Sequence, residues 1–112
     1  MSRVPARRIG FADIAFKPRF AYGDECTIGE TVDEGFGGEI GTGFARMARA
    51  WIPWTLKYDE VLTVFEGRLR VHIGDTVHEL DPRDSLWLPN GTELIYEADD
   101  ALVHYAIHPV TF

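Results

Sequence analysis

The chain has 112 residues, a formal net charge of −7 and a hydrophobic content of 46 %. This length suits one domain that buries about two-thirds of the surface exposed by the unfolded chain. A hydrophobic core can therefore form without disulfide bonds or a structural metal ion. The composition excludes a disordered chain, and the acidic balance argues against nucleic-acid binding because like charges repel.

The sequence also restricts the compartment. The single cysteine, Cys26, excludes an intrachain disulfide and is compatible with a reducing environment. The stretch 1–9 carries three arginines with no apolar segment after them, and no apolar run reaches the length of a membrane span. We therefore expect no secretory signal, no membrane contact and a cytoplasmic location.

Glycine and proline recur at short intervals, with β-branched and aromatic residues between them, which is typical of many short strands. Segment 13–16 is short enough for one turn or strand. Segment 34–43 contains five glycines and predicts a loop. The first clear strand is 44–51. The next, 61–65, is apolar at four of five positions, which predicts burial on both of its faces.

A hairpin follows, in which 68–73 and 76–80 flank Gly74-Asp75, a pair typical of a two-residue turn. Such a turn fixes the register of the two strands. It pairs Leu69 with Leu80, Arg70 with Glu79, Val71 with His78, His72 with Val77, and Ile73 with Thr76. His78 then shares the core face and His72 the outer face, whereas a slip by one residue would reverse both.

The last third continues the same pattern. A turn at 81–84 precedes a strand at 85–88, and the Asn90-Gly91 pair predicts another turn. Segments 94–97 and 102–108 are the final strands. This succession of strands without a helical segment predicts an all-β sandwich or barrel.

Two segments match known motifs in spacing while departing from them in chemistry. Glu60 and Gly67 keep the separation of the first motif of the cupin superfamily, and the chain resembles that superfamily in this region. Trp54 and Leu56 occupy the two positions where the motif has histidine.

The second cupin motif is retained to a similar extent. Pro89 and Gly91 match it, whereas Arg83 replaces a glycine and Leu94 replaces the third histidine. The resemblance therefore implies a cupin-type jelly-roll β-barrel without the usual metal ligands. We expect no metal and no cofactor.

The run 53–60 together with Glu66-Gly67 resembles more closely the EutQ-like cupin domain, which is associated with ethanolamine utilisation and lacks the metal-binding histidines. This resemblance covers about 43–112. It implies one cupin domain over 1–112, with an N-terminal arm at about 1–42 and the barrel at about 43–112. It also implies a homodimer, in which the phenylalanine-rich segment 11–20 extends onto the edge of a neighbour's sheet.

Glu60 is the first candidate site residue, because a barrel-facing carboxyl group needs hydrogen-bond donors or a raised pKa. It can act as a ligand acceptor or general base, with Tyr58 as a second catalytic candidate. The alternative is a purely structural carboxylate. The candidate ligand-binding residues are Trp54, Leu56, Glu60, His78, Trp87, Leu94 and Tyr96.

Simpler structural interpretations apply to the other histidines and arginines. His104 and His108 lie four residues apart on one predicted strand, about 13 Å between backbones, which is too far for two ligands of one metal ion. Arg46 and Arg49 have opposite strand parity, so at most one is expected to point inward, and both can be exposed.

Three functions remain open from the sequence. The first is a metal-free cupin that binds a small molecule. The second is an enzyme in which Glu60 acts as acid or base. Its activity would be that of an isomerase, a lyase or an acyl- or phosphate-handling enzyme. The third is a structural or assembly protein whose barrel is filled by Trp54, Leu56, Leu94 and Trp87. An open cavity with polar groups would favour the first two.

Overall fold

The computed structural model describes residues 3–112, without the side chain of Phe20; Met1 and Ser2 of the predicted arm lie outside the described residues. The strands are β1 (Lys17–Pro18), β2 (Cys26–Val32), β3 (Gly41–Thr55), β4 (Asp59–Gly67), β5 (Leu69–Ile73), β6 (Thr76–Leu80), β7 (Ser85–Leu88) and β8 (Glu93–His108). Single 3₁₀ turns occur at Phe11–Asp13, Phe20–Tyr22 and Glu34–Phe36. No helix among the described residues is long and apolar enough to cross a membrane.

All strand pairs are antiparallel, and the order β1-β2-β3-β8-β4-β7 forms one wall of the molecule. Strand β8 belongs to both walls. Its C-terminal half pairs with β4 in the first wall, and its N-terminal half pairs with β5. Strand β5 also pairs with β6, and these strands form the second wall. The all-β fold predicted from the sequence is therefore confirmed. Strands β1 and β2 belong to the predicted arm, yet they pair with the rest of the sheet.

The two walls meet at a corner in the long β3–β8 pair. The ladder runs from Gly41 to Thr55 but skips Arg49, which has a φ of +46°. Burial along β3 changes from odd to even positions at this point. Because strands pass from one wall to the other through such bends, Arg49 marks the corner. The change of parity leaves both Arg46 and Arg49 exposed.

The predicted hairpin and its register are confirmed. Strands β5 and β6 pair as expected, with Val71 opposite His78. Gly74 has a φ of +58°, which a tight hairpin turn needs at its first central position. His78 and His72 are both half-buried, and Nε2 of His72 lies 2.7 Å from Oε1 of Glu97.

Several other predictions need correction. Strand β2 was not predicted, and β8 is one continuous strand where two were expected. The prediction that 61–65 is buried on both faces is wrong for the single chain, since Val61 is 40 % and Phe65 53 % exposed. The strand instead alternates, because a barrel wall has one inner and one outer face.

Candidate functional site

The interior contains a cavity of about 620 Å³, bounded by residues of β1, β2, β3, β4 and β8. Much of its wall is apolar, formed by Ile28, Ala45, Met47, Leu62 and Ile107. A few polar side chains interrupt this wall, and the chemistry of the cavity depends on them. This combination of apolar wall and few polar groups is typical of small-molecule sites.

Glu60 and Tyr96 form the central polar pair of the cavity. Tyr96 Oη donates a hydrogen bond of 2.8 Å to Oε1 of Glu60. Both side chains are removed from solvent, with Glu60 5 % and Tyr96 2 % exposed. Because Glu60 lies on β4 and Tyr96 on the half of β8 that pairs with β5, this bond connects the two walls.

Burial governs the ionisation of this pair. It raises the pKa of Glu60 to about 7, while the Tyr96 hydrogen bond and the charge of Arg19 lower it. Burial also raises the pKa of Tyr96 well above its usual value, and the neighbouring Glu60 adds to that rise. At neutral pH Glu60 therefore populates both protonation states, and Tyr96 stays protonated as a donor.

Tyr58 lies beside this pair, one residue before β4 begins. Its side chain is buried, and burial, followed by the charge of Glu60, raises the pKa of its hydroxyl. Arg19 and a hydrogen bond to Trp54 act in the opposite direction. A third tyrosine, Tyr105, lines the cavity from β8, and burial raises its pKa as well.

Arg19, like Tyr105, is a polar cavity residue that the sequence did not predict. Its backbone is fixed at the end of β1, where its N–H donates to Cys26 O at 3.0 Å and its carbonyl accepts from Tyr22 N at 2.9 Å. The guanidinium carbon lies 4.5 Å from the ring centroid of Trp54. No sequence signal indicated this position, because neither of the two motifs extends to the segment before β2.

The structure brings together three of the predicted site residues, Glu60, Tyr58 and Tyr96, around the cavity. Leu56 and Leu94 lie in the hydrophobic core, 1 % and 4 % exposed, and do not line the cavity. Trp54 is half-buried and supports the Arg19 side chain.

The two remaining predicted ligand-binding residues lie apart from the cavity. Trp87 is 59 % exposed, because the pairing of Glu60 with Leu88 directs Leu88 inward and Trp87 outward. His78 has the predicted register, but β6 pairs only with β5, at the side of the second wall away from Glu60. Neither side chain contributes to the cavity wall.

The residues present do not fit the usual cupin metal site. Of its four ligand positions, only Glu60 has a ligating side chain, since Trp54, Leu56 and Leu94 occupy the others. Within residues 3–112, no three His, Cys, Asp or Glu side chains converge in a way that could hold a metal ion.

Comparisons with known proteins identify the family of the chain. The family model described as ethanolamine utilisation protein EutQ matches residues 19–112. A curated relative from Salmonella typhimurium, named acetate kinase EutQ, is 36 % identical over 66 residues, which are 58 % of this chain. The chain matches only 28 % of that relative's length.

Solved structures share the fold. The structure of ethanolamine utilisation protein Q from Salmonella typhimurium has a TM-score of 0.87 at 24 % identity, over 93 % of this chain and 86 % of that chain. An RmlC-like cupin from Shewanella frigidimarina has a TM-score of 0.75 at 14 % identity, over 95 % of this chain and 94 % of that one. The predicted cupin fold is thereby confirmed, and the chain belongs to the EutQ family of ethanolamine utilisation proteins.

Proposed function

We propose that this chain is a metal-free cupin that binds a small organic molecule in its barrel cavity, where Glu60 and Tyr96 recognise a polar group of the ligand. The observation that carries this proposal is the buried hydrogen bond between these two side chains on the cavity wall. A tyrosine hydroxyl and a carboxyl group offer both a donor and an acceptor to a ligand.

The open cavity favours binding over a filled barrel. A volume of about 620 Å³ lies within the range of sites for drug-sized ligands, roughly 300–1,000 Å³. The residues expected to fill the barrel do not close it, since Leu56 and Leu94 pack in the core and Trp87 is exposed. A purely structural role has less support for this reason.

Acid–base catalysis is the second candidate function, and the ionisation of Glu60 favours it. A general acid or base works best when its pKa lies near the working pH, and burial raises the pKa of Glu60 to about 7. Tyr58 and Tyr96 supply the neighbouring hydroxyl groups. In this version Glu60 transfers a proton to or from a bound substrate.

The acetate kinase activity in the name of the curated relatives is a separate possibility for this chain. Those relatives are matched over about a quarter of their length, so the activity requires direct measurement. Acetate and nucleoside triphosphate should be assayed together with the purified chain. A cytoplasmic location also belongs to this proposal, supported by the free and buried Cys26.

The binding proposal is tested with a fragment library of small acids, alcohols and amides, monitored by two-dimensional NMR. We expect ligands to shift the signals of Tyr96 and Tyr58, and Glu60→Gln to weaken their binding at least tenfold while the chain stays folded. Glu79→Gln is the matched control, because Glu79 is exposed and paired with Arg70. Ligands that map elsewhere, or that bind Glu60→Gln equally well, would contradict the proposal.

A further inference from the structure

We propose that the ligand of this cavity is an organic anion whose carboxylate or phosphate group is bound by Arg19, with its remaining part directed toward Glu60 and Tyr96. This inference rests on the proposed binding function and specifies its ligand class. Arg19 lies outside both of the sequence motifs.

Arg19 is held in place before any ligand arrives. Its backbone is anchored to Cys26 and Tyr22, and its guanidinium stacks on the indole of Trp54 with 4.5 Å between guanidinium carbon and ring centroid. The side chain is half-buried and forms part of the cavity wall. A planar guanidinium that is already oriented loses little entropy when it binds a planar carboxylate.

The Arg19 side chain has one hydrogen bond, to Tyr58, which leaves part of the hydrogen-bonding capacity of the guanidinium unused. Its Nε is buried and has no hydrogen-bond partner among the described residues. No carboxylate in residues 3–112 lies within 4.0 Å of its guanidinium nitrogens as an ion-pair partner. A partly buried cation without a counter-ion favours an anion that supplies both charge and acceptors.

The charge of Arg19 acts on the cavity as a whole. It lowers the pKa of Glu60 and of the three cavity tyrosines, Tyr58, Tyr96 and Tyr105, against the effect of burial. Lys17, two residues earlier, also borders the cavity and adds a second, exposed cation. The acidic rim residues Glu30 and Asp33 are exposed, so water and salt screen them more than the half-buried Arg19.

The polar groups of the cavity therefore differ in the ligand group they accept. Arg19 binds the anionic end, which can be a carboxylate or a phosphate because both match the guanidinium fork. Glu60 and Tyr96 bind an uncharged hydroxyl, carbonyl or amide. The apolar wall of the cavity, which includes Met47 and Leu62, accepts a hydrocarbon or aromatic body.

The test compares matched anionic and neutral probes: benzoate and 3-phenylpropanoate, their amides, and phenyl phosphate. Dissociation constants are measured by NMR titration on wild type, Arg19→Gln, Arg19→Lys and Arg46→Gln. Arg46 is the matched control, because its guanidinium also lies over an aromatic ring, Phe16 at 5.5 Å, but outside the cavity.

We expect wild type to bind the anions at least tenfold more tightly than the amides. Arg19→Gln should abolish this preference, Arg19→Lys should keep part of it, and Arg46→Gln should leave it unchanged. Comparison of phenyl phosphate with benzoate identifies which anionic group is preferred.

Three results overturn the inference in distinguishable ways. If the amides bind wild type as tightly as the acids, and their binding depends on Glu60, the anion inference is wrong and the proposed binding function stands. If no probe binds at millimolar concentration, both are contradicted. If folded Arg19→Gln still binds the anions more tightly than the amides, a group other than Arg19 binds the anionic end of the ligand, and the inference is wrong.

Discussion

Glu60 is a carboxyl group that folding transfers from water into a wall of the barrel, with one tyrosine hydroxyl as its hydrogen-bond donor. The folded protein therefore holds the proton of Glu60 more tightly than the unfolded chain does, because burial raises the pKa from 4.5 to about 7. A group of this kind stabilises the folded state fully at pH values below its pKa in the unfolded chain. Its contribution to the free energy of unfolding is lost as the pH rises through its pKa in the folded chain, about 7.

We predict that this effect is visible in the pH dependence of stability. Relative to Glu60→Gln, wild type should lose roughly 3 kcal/mol of unfolding free energy between pH 4.5 and 7, and little more above pH 8. Urea unfolding of both proteins at several pH values measures the difference, in which the titration of other groups cancels. Parallel stability curves for the two proteins would show that Glu60 is not perturbed.

The apolar replacements at Trp54, Leu56 and Leu94 lead to a second prediction at the residue scale. Purified protein should contain well under one equivalent of iron, zinc, nickel or manganese per chain, because a single carboxylate is a weak metal site. Elemental analysis of protein purified without chelator checks this, and treatment with EDTA should leave the melting temperature unchanged. A stoichiometric metal would contradict the metal-free proposal.

At the scale of elements, turn chemistry was the most reliable guide in the sequence. Gly74-Asp75 fixed the β5–β6 register because few other residues adopt the required φ. Strand β2 lacked such a signal, since its centre is Gly29 followed by Glu30. A Cβ at Gly29 would overlap Ile14 Cγ2, so the glycine provides room for a segment that packs there only in the folded chain.

The polar residues of the cavity also differ in whether the sequence could predict them. Some lie in local motifs, whereas the position of others depends on contacts between segments far apart in the sequence. Glu60, Tyr58 and Tyr96 could be predicted as candidates because Glu60 and Tyr58 lie in the first motif and Tyr96 lies on a clear strand. Arg19 could not, because its position depends on the pairing of Lys17–Pro18 with β2 and on stacking over Trp54, 35 residues later in the sequence. The outward direction of Trp87 likewise depends on the β4–β7 register.

The turn before β7 provides a prediction at this scale. Asp84 N donates to Asp81 O at 3.0 Å, Pro82 occupies the second position, and Arg83 has a φ of +81° at the third. This is the position where the cupin motif has glycine. A type II turn requires a positive φ there, which costs an L-residue about 1–2 kcal/mol.

We therefore expect Arg83→Gly to raise the free energy of unfolding by about 0.5–1 kcal/mol, since relief of strain exceeds the added entropy of the unfolded chain. Arg83→Ala is the control, because it removes the exposed charge and keeps the strained backbone, so its stability should match wild type. Chemical denaturation measures all three proteins. Equal stabilisation by Ala and Gly would attribute the effect to charge instead of backbone strain.

At the scale of the whole molecule, the barrel carries an aromatic face on the outside of its first wall. Cross-strand pairing aligns Trp87 with Val61, and places His104 between Thr63 and Phe44. The ring of Phe44 contacts Phe65 edge to face at a centroid distance of 5.4 Å, and it contacts His104 at 4.9 Å. We define the aromatic face as Phe44, Val61, Phe65, Trp87 and His104.

The predicted partner of this face is a second copy of the chain. The N-terminal segment expected to reach a neighbour contacts its own barrel here, since Phe11 packs on Phe44 at 5.0 Å. It covers part of the aromatic face and leaves Val61, Phe65 and Trp87 exposed. Exposed apolar patches on strands favour association, and two-fold dimers are the commonest closed form.

We predict that the chain is dimeric at micromolar concentration and that Trp87→Lys shifts it toward monomer, because an ammonium group in an apolar interface loses its hydration without gaining a partner. Trp51→Lys is the matched control: Trp51 is 50 % exposed, close to the 59 % of Trp87, but it lies on the second wall, where its ring contacts His72 in a tilted arrangement at 5.0 Å. Sedimentation velocity over a concentration series measures both variants and wild type. A monomeric wild type, or dissociation caused by Trp51→Lys and not by Trp87→Lys, would show that the aromatic face does not join two copies.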